Sequence, residues 1–97
     1  MRIIATKRLA DYASIHPSLE SELKAWIVEV RHAVWLTPAD VKRHYAKASI
    51  LKSGRVVYNI SGNRHRLVVW INYRLGIVYI KFIGMHEAYD TIDAGTV

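Results

Sequence analysis

The segment His86-Glu87-Ala88-Tyr89-Asp90 carries an imidazole, a phenol and a carboxylate at the spacing of one helical turn. On a helix, Tyr89 and Asp90 fall three and four residues after His86 and share its face. An imidazole titrates near neutral pH, so such a face can take protons from a reacting oxygen and return them. Asp90 would orient the ring, and Tyr89 would donate a hydrogen bond or stack on a base. Upstream, Arg66 and Lys81 lie in segments with the composition of strands. A guanidinium can hold a phosphate by two parallel hydrogen bonds, and an ammonium can stabilise developing charge or, if desolvated, act as a base. The pentapeptide is not a zinc motif. Asp90 stands where H-E-x-x-H requires its second histidine, and no metal site is expected.

These groups need elements to position them, and the chain supplies two kinds. Arg2–Ala5 is a short apolar run expected to form an edge strand. Leu9, Tyr12, Ala13 and His16 recur at helical spacing after Thr6, a possible N-cap, and His16-Pro17 ends that helix. From Ser18 a second helix lines up Leu19, Leu23, Trp26, Ile27 and Val30 on one stripe, with Glu20, Glu22, Lys24, Glu29 and Arg31 largely opposite. Thr37-Pro38-Ala39-Asp40 reads as N-cap, first helical position and first-turn acid, so a third helix should run to about Tyr45. Ala46–Gly54 reads as a loop. The period then changes to two: Arg55–Ile60, Arg66–Arg74 and Ile77–Ile83 are strands of an antiparallel meander, joined at Ser61-Gly62-Asn63 and Leu75-Gly76. Asn63 is assigned to the turn backbone. The terminal segment His86–Asp93 is too polar for a strand and predicts a short helix. The expectation is one α+β domain over residues 1–97, a small antiparallel sheet with the N-terminal helices on one face.

Alternation sorts the strand residues by face. Val56, Tyr58, Ile60, Leu67, Val69, Ile71, Tyr73, Val78, Ile80 and Phe82 form one wholly apolar or aromatic face, which the striped helices must cover. Arg55, Val57, Asn59, Arg66, Val68, Trp70, Asn72, Arg74, Tyr79, Lys81 and Ile83 form the other. That second face is basic with aromatic interleaving, so Trp70 and Tyr79 would be free to stack on bases. His16, His32, His44 and His65 show no partnered constellation in the sequence and are read as surface or core residues. Trp26 and Trp35 are read as core.

Composition narrows the class. The 97 residues are 52% hydrophobic and contain no cysteine, which fits one folded core and excludes disulfides, thiolate metal sites and cysteine nucleophiles. The longest apolar run, Leu67–Ile71, is far short of the ~20 residues of a membrane helix, and Met1–Lys7 lacks a signal-peptide core. A soluble cytoplasmic protein is expected. The net charge of +6 is unevenly spread. No acid occurs between Asp40 and Glu87, an interval that holds Lys42, Arg43, Lys47, Lys52, Arg55, Arg64, Arg66, Arg74 and Lys81. Such a field calls for a polyanionic partner, a nucleic acid or an acidic protein segment.

Asn59-Ile-Ser-Gly62-Asn63-Arg-His-Arg66-Leu-Val, the later strand with Lys81, and the ending Gly84-Met-His86-Glu-Ala-Tyr89-Asp90 together resemble the HigB-type toxins of the RelE-like superfamily. Trp35-Leu-Thr-Pro38-Ala-Asp40-Val-Lys42 is similar to the same family's helix entry, so the resemblance spans essentially the whole chain. This chain departs from many members in having Met85 in place of Thr before the histidine. The resemblance implies a RelE-like fold and a type II toxin–antitoxin toxin. It also implies a ribosome-dependent mRNA endoribonuclease that needs no metal or organic cofactor and is neutralised by a cognate helix-turn-helix, HigA-like antitoxin. The motif match carries over Asn59, Arg66, Lys81, His86, Tyr89 and Asp90 without assigning their chemical roles, and of these Arg66, Lys81, His86, Tyr89 and Asp90 are the expected catalytic residues. Expected RNA contacts are Arg55, Asn59, Arg64, Trp70, Asn72 and Arg74. The sequence leaves open a non-enzymatic RNA-binding module on the same basic face, and a gyrase-directed toxin on the same scaffold.

Overall fold

In the computed structural model, which describes residues 1–97, the alternating segments join one five-stranded sheet. The strands are β1 (Arg2–Ile4), β2 (Ser49–Ile50), β3 (Arg55–Ile60), β4 (His65–Asn72) and β5 (Ile77–Met85), in the order β1-β5-β4-β3-β2. β1 is an edge strand, as expected, and pairs parallel with β5; every other pairing is antiparallel. Ser49–Ile50 lies in the stretch read as loop, where two residues are too short for a periodic signal. The helices are α1 (Lys7–Ile15), α2 (Glu20–His32), α3 (Pro38–His44) and α4 (His86–Tyr89). None is long and apolar enough to cross a membrane.

The helix signals hold with one exception. Thr37 and Asp40 form a full capping box, each side chain bonding the other's backbone N–H, and Pro38 opens α3. The Asp40 carboxylate also accepts from the Leu36 N–H at 2.8 Å and pairs with Arg43. These bonds hold its pKa below the usual carboxylate range. Thr6, by contrast, has helical φ and ψ and its side chain caps nothing.

One layer of helices covers one face of the sheet. Leu9 of α1, Leu19 just before α2, and Leu23, Trp26 and Val30 of α2 pack on Val56, Tyr58, Ile60, Leu67, Val69, Ile71, Val78 and Ile80 in a single buried cluster. Trp35, Val41 and Ala48 close its side. The stripes on the helices and the period-two face of the strands therefore meet as read, and Trp26 and Trp35 are core.

The alternation fails at one place. Between β4 and β5 the register slips: Val69 pairs with Ile80, but Val68 pairs with Phe82, leaving Lys81 as an extra residue in a β-bulge. A slip of one residue exchanges the faces of everything beyond it. Ile83, expected on the basic face, packs against the main core. Phe82, expected in that core, crosses to the opposite face and joins Val57, Val68 and Ala94 in a second apolar cluster with Tyr89, Leu51 and Val97 around it.

Candidate nucleic-acid interface

The second face is therefore not an open platform. Its centre is the small cluster of Val57, Val68 and Ala94, which the segment after α4 covers. That segment is fastened by main-chain acceptors: Ser53 Oγ donates to the Gly95 carbonyl at 2.9 Å, and Arg55 Nη2 to the Val97 main-chain oxygen at 3.0 Å. Arg55, expected to contact RNA, is instead engaged with its own chain.

The strand ends beyond this cover hold two groups of candidates. At the far end, Trp70 pairs across the sheet with Tyr79, and their rings pack with centroids 5.0 Å apart and planes 33° apart. The close approach of Gly54 leaves its absent Cβ only 3.1 Å from Trp70 Nε1, so the indole is held between its neighbours and is not a free stacking surface. Asn72 Oδ1 accepts from the Leu75 N–H at 3.0 Å, a turn-making role, and Arg74 is in that exposed turn and not in the strand. From Arg66 to Asn72 is six strand residues, roughly 20 Å.

The near end holds most of the catalytic candidates. Asn59 is exposed and pairs in register with Arg66, which lies opposite Gly84. Gly84 bears no side chain, and the Phe82 ring fills that space. Arg66 Nη1 donates to the Asn63 carbonyl at 2.7 Å, and its guanidinium carbon is 5.8 Å from the Tyr89 ring centroid. It forms no ion pair with Glu87 or Asp90, which leaves its remaining N–H groups available to an anion. The turn that offers the Asn63 carbonyl is tied to α2, because Ser61 N–H donates to both Glu22 carboxylate oxygens at 3.0 and 3.1 Å. Ser61 and Gly62 hold the positive φ angles here, 53° and 65°; Asn63, assigned to that task from its type, does not.

His86 opens α4 and is fixed by its backbone: its N–H donates to the Arg64 carbonyl at 2.9 Å. Arg64 is thereby placed beside the site, with its side chain exposed. The half-exposed imidazole has Asp90 Oδ2 3.9 Å from Nδ1, and Glu87 Oε1 closer, 3.1 Å from Nε2. Glu87 thus approaches the ring more closely than the carboxylate singled out by helical spacing. Tyr89 is half-buried against the second cluster and close to Arg66. Its position serves packing and site together.

Lys81 does not hold the paired position in the ladder that strict alternation requires. The bulge sets it beside α1, in a shallow cleft of about 360 Å³ with Arg8, Asp11 and Tyr12.

A further constellation went unread in the sequence. On the core side of the same end, Tyr12 Oη and His65 Nδ1 are 2.7 Å apart, and His16 packs on both rings at centroid distances of 4.4 and 5.1 Å. Burial, with His16 and Arg64 nearby, lowers the pKa of His65 below the usual histidine value. His65 is distant in sequence from Tyr12 and His16, and only the closure of α1 on the sheet joins them.

The arrangement at the near end joins an anion-ready guanidinium, a partly exposed imidazole with two carboxylates, and a phenol, on a basic chain. A family model described as HigB toxin, the RelE-like toxic component of a toxin–antitoxin system, matches residues 19–92. No curated protein matches the chain significantly. The matched span runs from the residue before α2 through α4 and includes every candidate just described except the α1 contacts, and by it the chain belongs to the HigB-type, RelE-like toxins of toxin–antitoxin systems.

Proposed function

We propose that this toxin is a ribosome-dependent mRNA endoribonuclease that stops translation and is neutralised by a cognate helix-turn-helix antitoxin. The observation that carries this reading is the convergence of Arg66, His86, Tyr89 and Asp90 at one end of the sheet, with Arg66 unpaired by any acid.

The reaction is attack by the ribose 2′-OH on its own phosphodiester. The 2′-oxygen bonds to phosphorus, its proton leaves to a base, the bond to the 5′-oxygen breaks, and that oxygen receives a proton from an acid. Arg66 holds the non-bridging oxygens, where negative charge grows in the transition state. The His86 imidazole exchanges protons with the 2′- or 5′-oxygen, and the flanking carboxylates of Glu87 and Asp90 set its orientation. Tyr89 packs beside the guanidinium and limits its motion. Lys81, from the bulge, adds positive potential on the α1 side. Asn59 and Arg64 contact the RNA flanking the cut.

End-group chemistry tests the reading. Message cut by purified protein on translating ribosomes should carry a 2′,3′-cyclic phosphate or the 3′-phosphate that opens from it. A 3′-hydroxyl paired with a 5′-phosphate would mean attack by water and would remove the mechanism. Binding of RNA without any cut would favour the non-enzymatic reading instead.

A further inference from the structure

The face exchange at Lys81 determines what reaches the site, and one side chain outside that site holds it. In a regular strand consecutive carbonyls point to opposite edges. Here Arg8 Nη1, from α1, donates to both the Ile80 carbonyl at 3.3 Å and the Lys81 carbonyl at 2.8 Å. One donor can reach both only because the bulge turns the two carbonyls to the same edge. That edge has no strand to satisfy it: β1 ends at Ile4, opposite Tyr79, one residue short of Ile80. The guanidinium stands in for the missing strand at the point where the register changes.

The consequences run downstream along β5. Past the bulge, Phe82 lies on the face of Val68 and comes to within 6.5 Å of the Tyr89 ring, and Gly84 lies opposite Arg66. Met85 pairs with His65, and the next residue, His86, enters α4. In the uninterrupted register Phe82 would return to the core and these placements would turn over together.

We propose that Arg8 is a positioning residue of the toxin: by clamping the Ile80 and Lys81 carbonyls it fixes the bulge that presents Lys81 and aligns Arg66, His86 and Tyr89. The assignment of a catalytic consequence rests on the endoribonuclease reading; the clamp itself does not. Arg8 is exposed and belongs to neither apolar cluster, so its removal leaves the core intact.

The test is Arg8→Ala, with Arg8→Lys as the conservative variant, measured in the full-length protein by amide hydrogen exchange and by single-turnover cleavage of message on ribosomes. In Arg8→Ala, exchange of the Lys81–Met85 amides should rise at least tenfold while the amides of α2 keep their protection. Its cleavage rate constant should fall by roughly 10- to 100-fold, the scale of a misplacement of about 1 Å. The half-saturating ribosome concentration and the salt dependence of binding should stay unchanged, and Arg8→Lys should recover part of the rate. Unchanged exchange at Lys81–Met85 would overturn the clamp. Faster exchange with an unchanged rate would overturn its role in positioning. A weaker affinity with a smaller salt slope would make Arg8 an RNA contact. If the wild-type protein cuts no RNA, the endoribonuclease reading fails, and the exchange result still decides the clamp.

Discussion

The guanidinium of Arg66 and the ring of Tyr89 lie 5.8 Å apart, a cation–π contact made between β4 and the short helix that follows β5. The contact joins the group best placed to hold a phosphate to the cluster that fastens the C-terminal segment. Arg66 is kept from acids and aimed by the Asn63 carbonyl, while Tyr89 gives one part of its surface to Phe82 and another to Arg66.

Arg66→Ala should abolish growth arrest when the toxin is expressed without antitoxin. The rate of message cleavage should fall by roughly 100- to 1,000-fold, as for loss of one transition-state donor, with little change in melting temperature because Arg66 is outside both clusters. Tyr89→Phe keeps the ring and should retain most of the activity; Tyr89→Ala should lose activity and stability together. Growth curves, cleavage rates and melting of the three variants decide it, and a fully toxic Arg66→Ala would remove Arg66 from the mechanism.

The two clusters should differ in what their loss does. Leu67 and Leu23 are fully buried in the main core, and either to Ala should cost about 2–5 kcal/mol, enough to lower the melting temperature by roughly 10–25 °C. Phe82→Ala should cost less overall but release the segment from Ala94 to Val97, visible as protease cleavage there in a protein whose core still melts cooperatively. A Phe82→Ala variant as resistant as wild type would contradict the cover described for the second face.

Most of the architecture was legible because period and burial agree: the stripe Leu19, Leu23, Trp26 and Val30 can belong only to a helix on an apolar sheet face, and the alternate residues Val56, Tyr58 and Ile60 only to that face. The bulge was not legible. Ile80-Lys81-Phe82 reads as alternation, and only the pairing with Val68 and Val69 shows that two β5 residues occupy the place of one. The misplacement of Lys81, Phe82 and Ile83 follows from that single residue. In the proposed site, Arg66, His86 and Tyr89 were singled out by residue type, local spacing and the family resemblance, and Asn59 by alternation and the same resemblance. The Tyr12–His65–His16 group and the Arg8 clamp were not, since each joins residues far apart in sequence through the docking of α1.

Acid should weaken the fold before the carboxylates titrate. Burial lowers the pKa of His65, so the folded state resists a proton that the unfolded chain accepts near pH 6.5. The unfolded state then binds more protons, and stability must fall as pH drops below about 6.5, levelling off only beneath the folded-state pKa. Urea titrations between pH 5 and pH 8 should show this slope, and His65→Gln should flatten it. Equal slopes in the two proteins would mean that the buried imidazole does not contribute.

Binding to ribosomes or single-stranded RNA should weaken with salt at a log–log slope of roughly −0.7 for each phosphate neutralised. Arg66→Ala and Arg64→Ala should each reduce that slope by about 0.7, because both side chains are at the near end with no acid partner. Arg55→Ala should change it little, since that guanidinium is occupied by the Ser53 and Val97 main-chain oxygens. A slope lowered most by Arg55→Ala would show that the C-terminal cover opens when RNA binds.

The far end supplies the last expectation. Trp70 has Tyr79 against its ring and the Gly54 backbone at its Nε1 edge, and it is four residues, roughly 13 Å, along β4 from Arg66. A base stacked on a free tryptophan is worth about 1–3 kcal/mol, so its loss would weaken binding by roughly 5- to 150-fold. An indole already packed has little such energy to give, and its truncation should act on the fold. Trp70→Ala should lower the melting temperature, weaken RNA binding less than about threefold, and leave the cleavage rate of bound message within about twofold of wild type. Calorimetry beside filter binding separates the two effects. A normally melting Trp70→Ala protein that binds RNA tenfold more weakly would restore the stacking platform that alternation alone suggested, and would extend the RNA path across the whole second face.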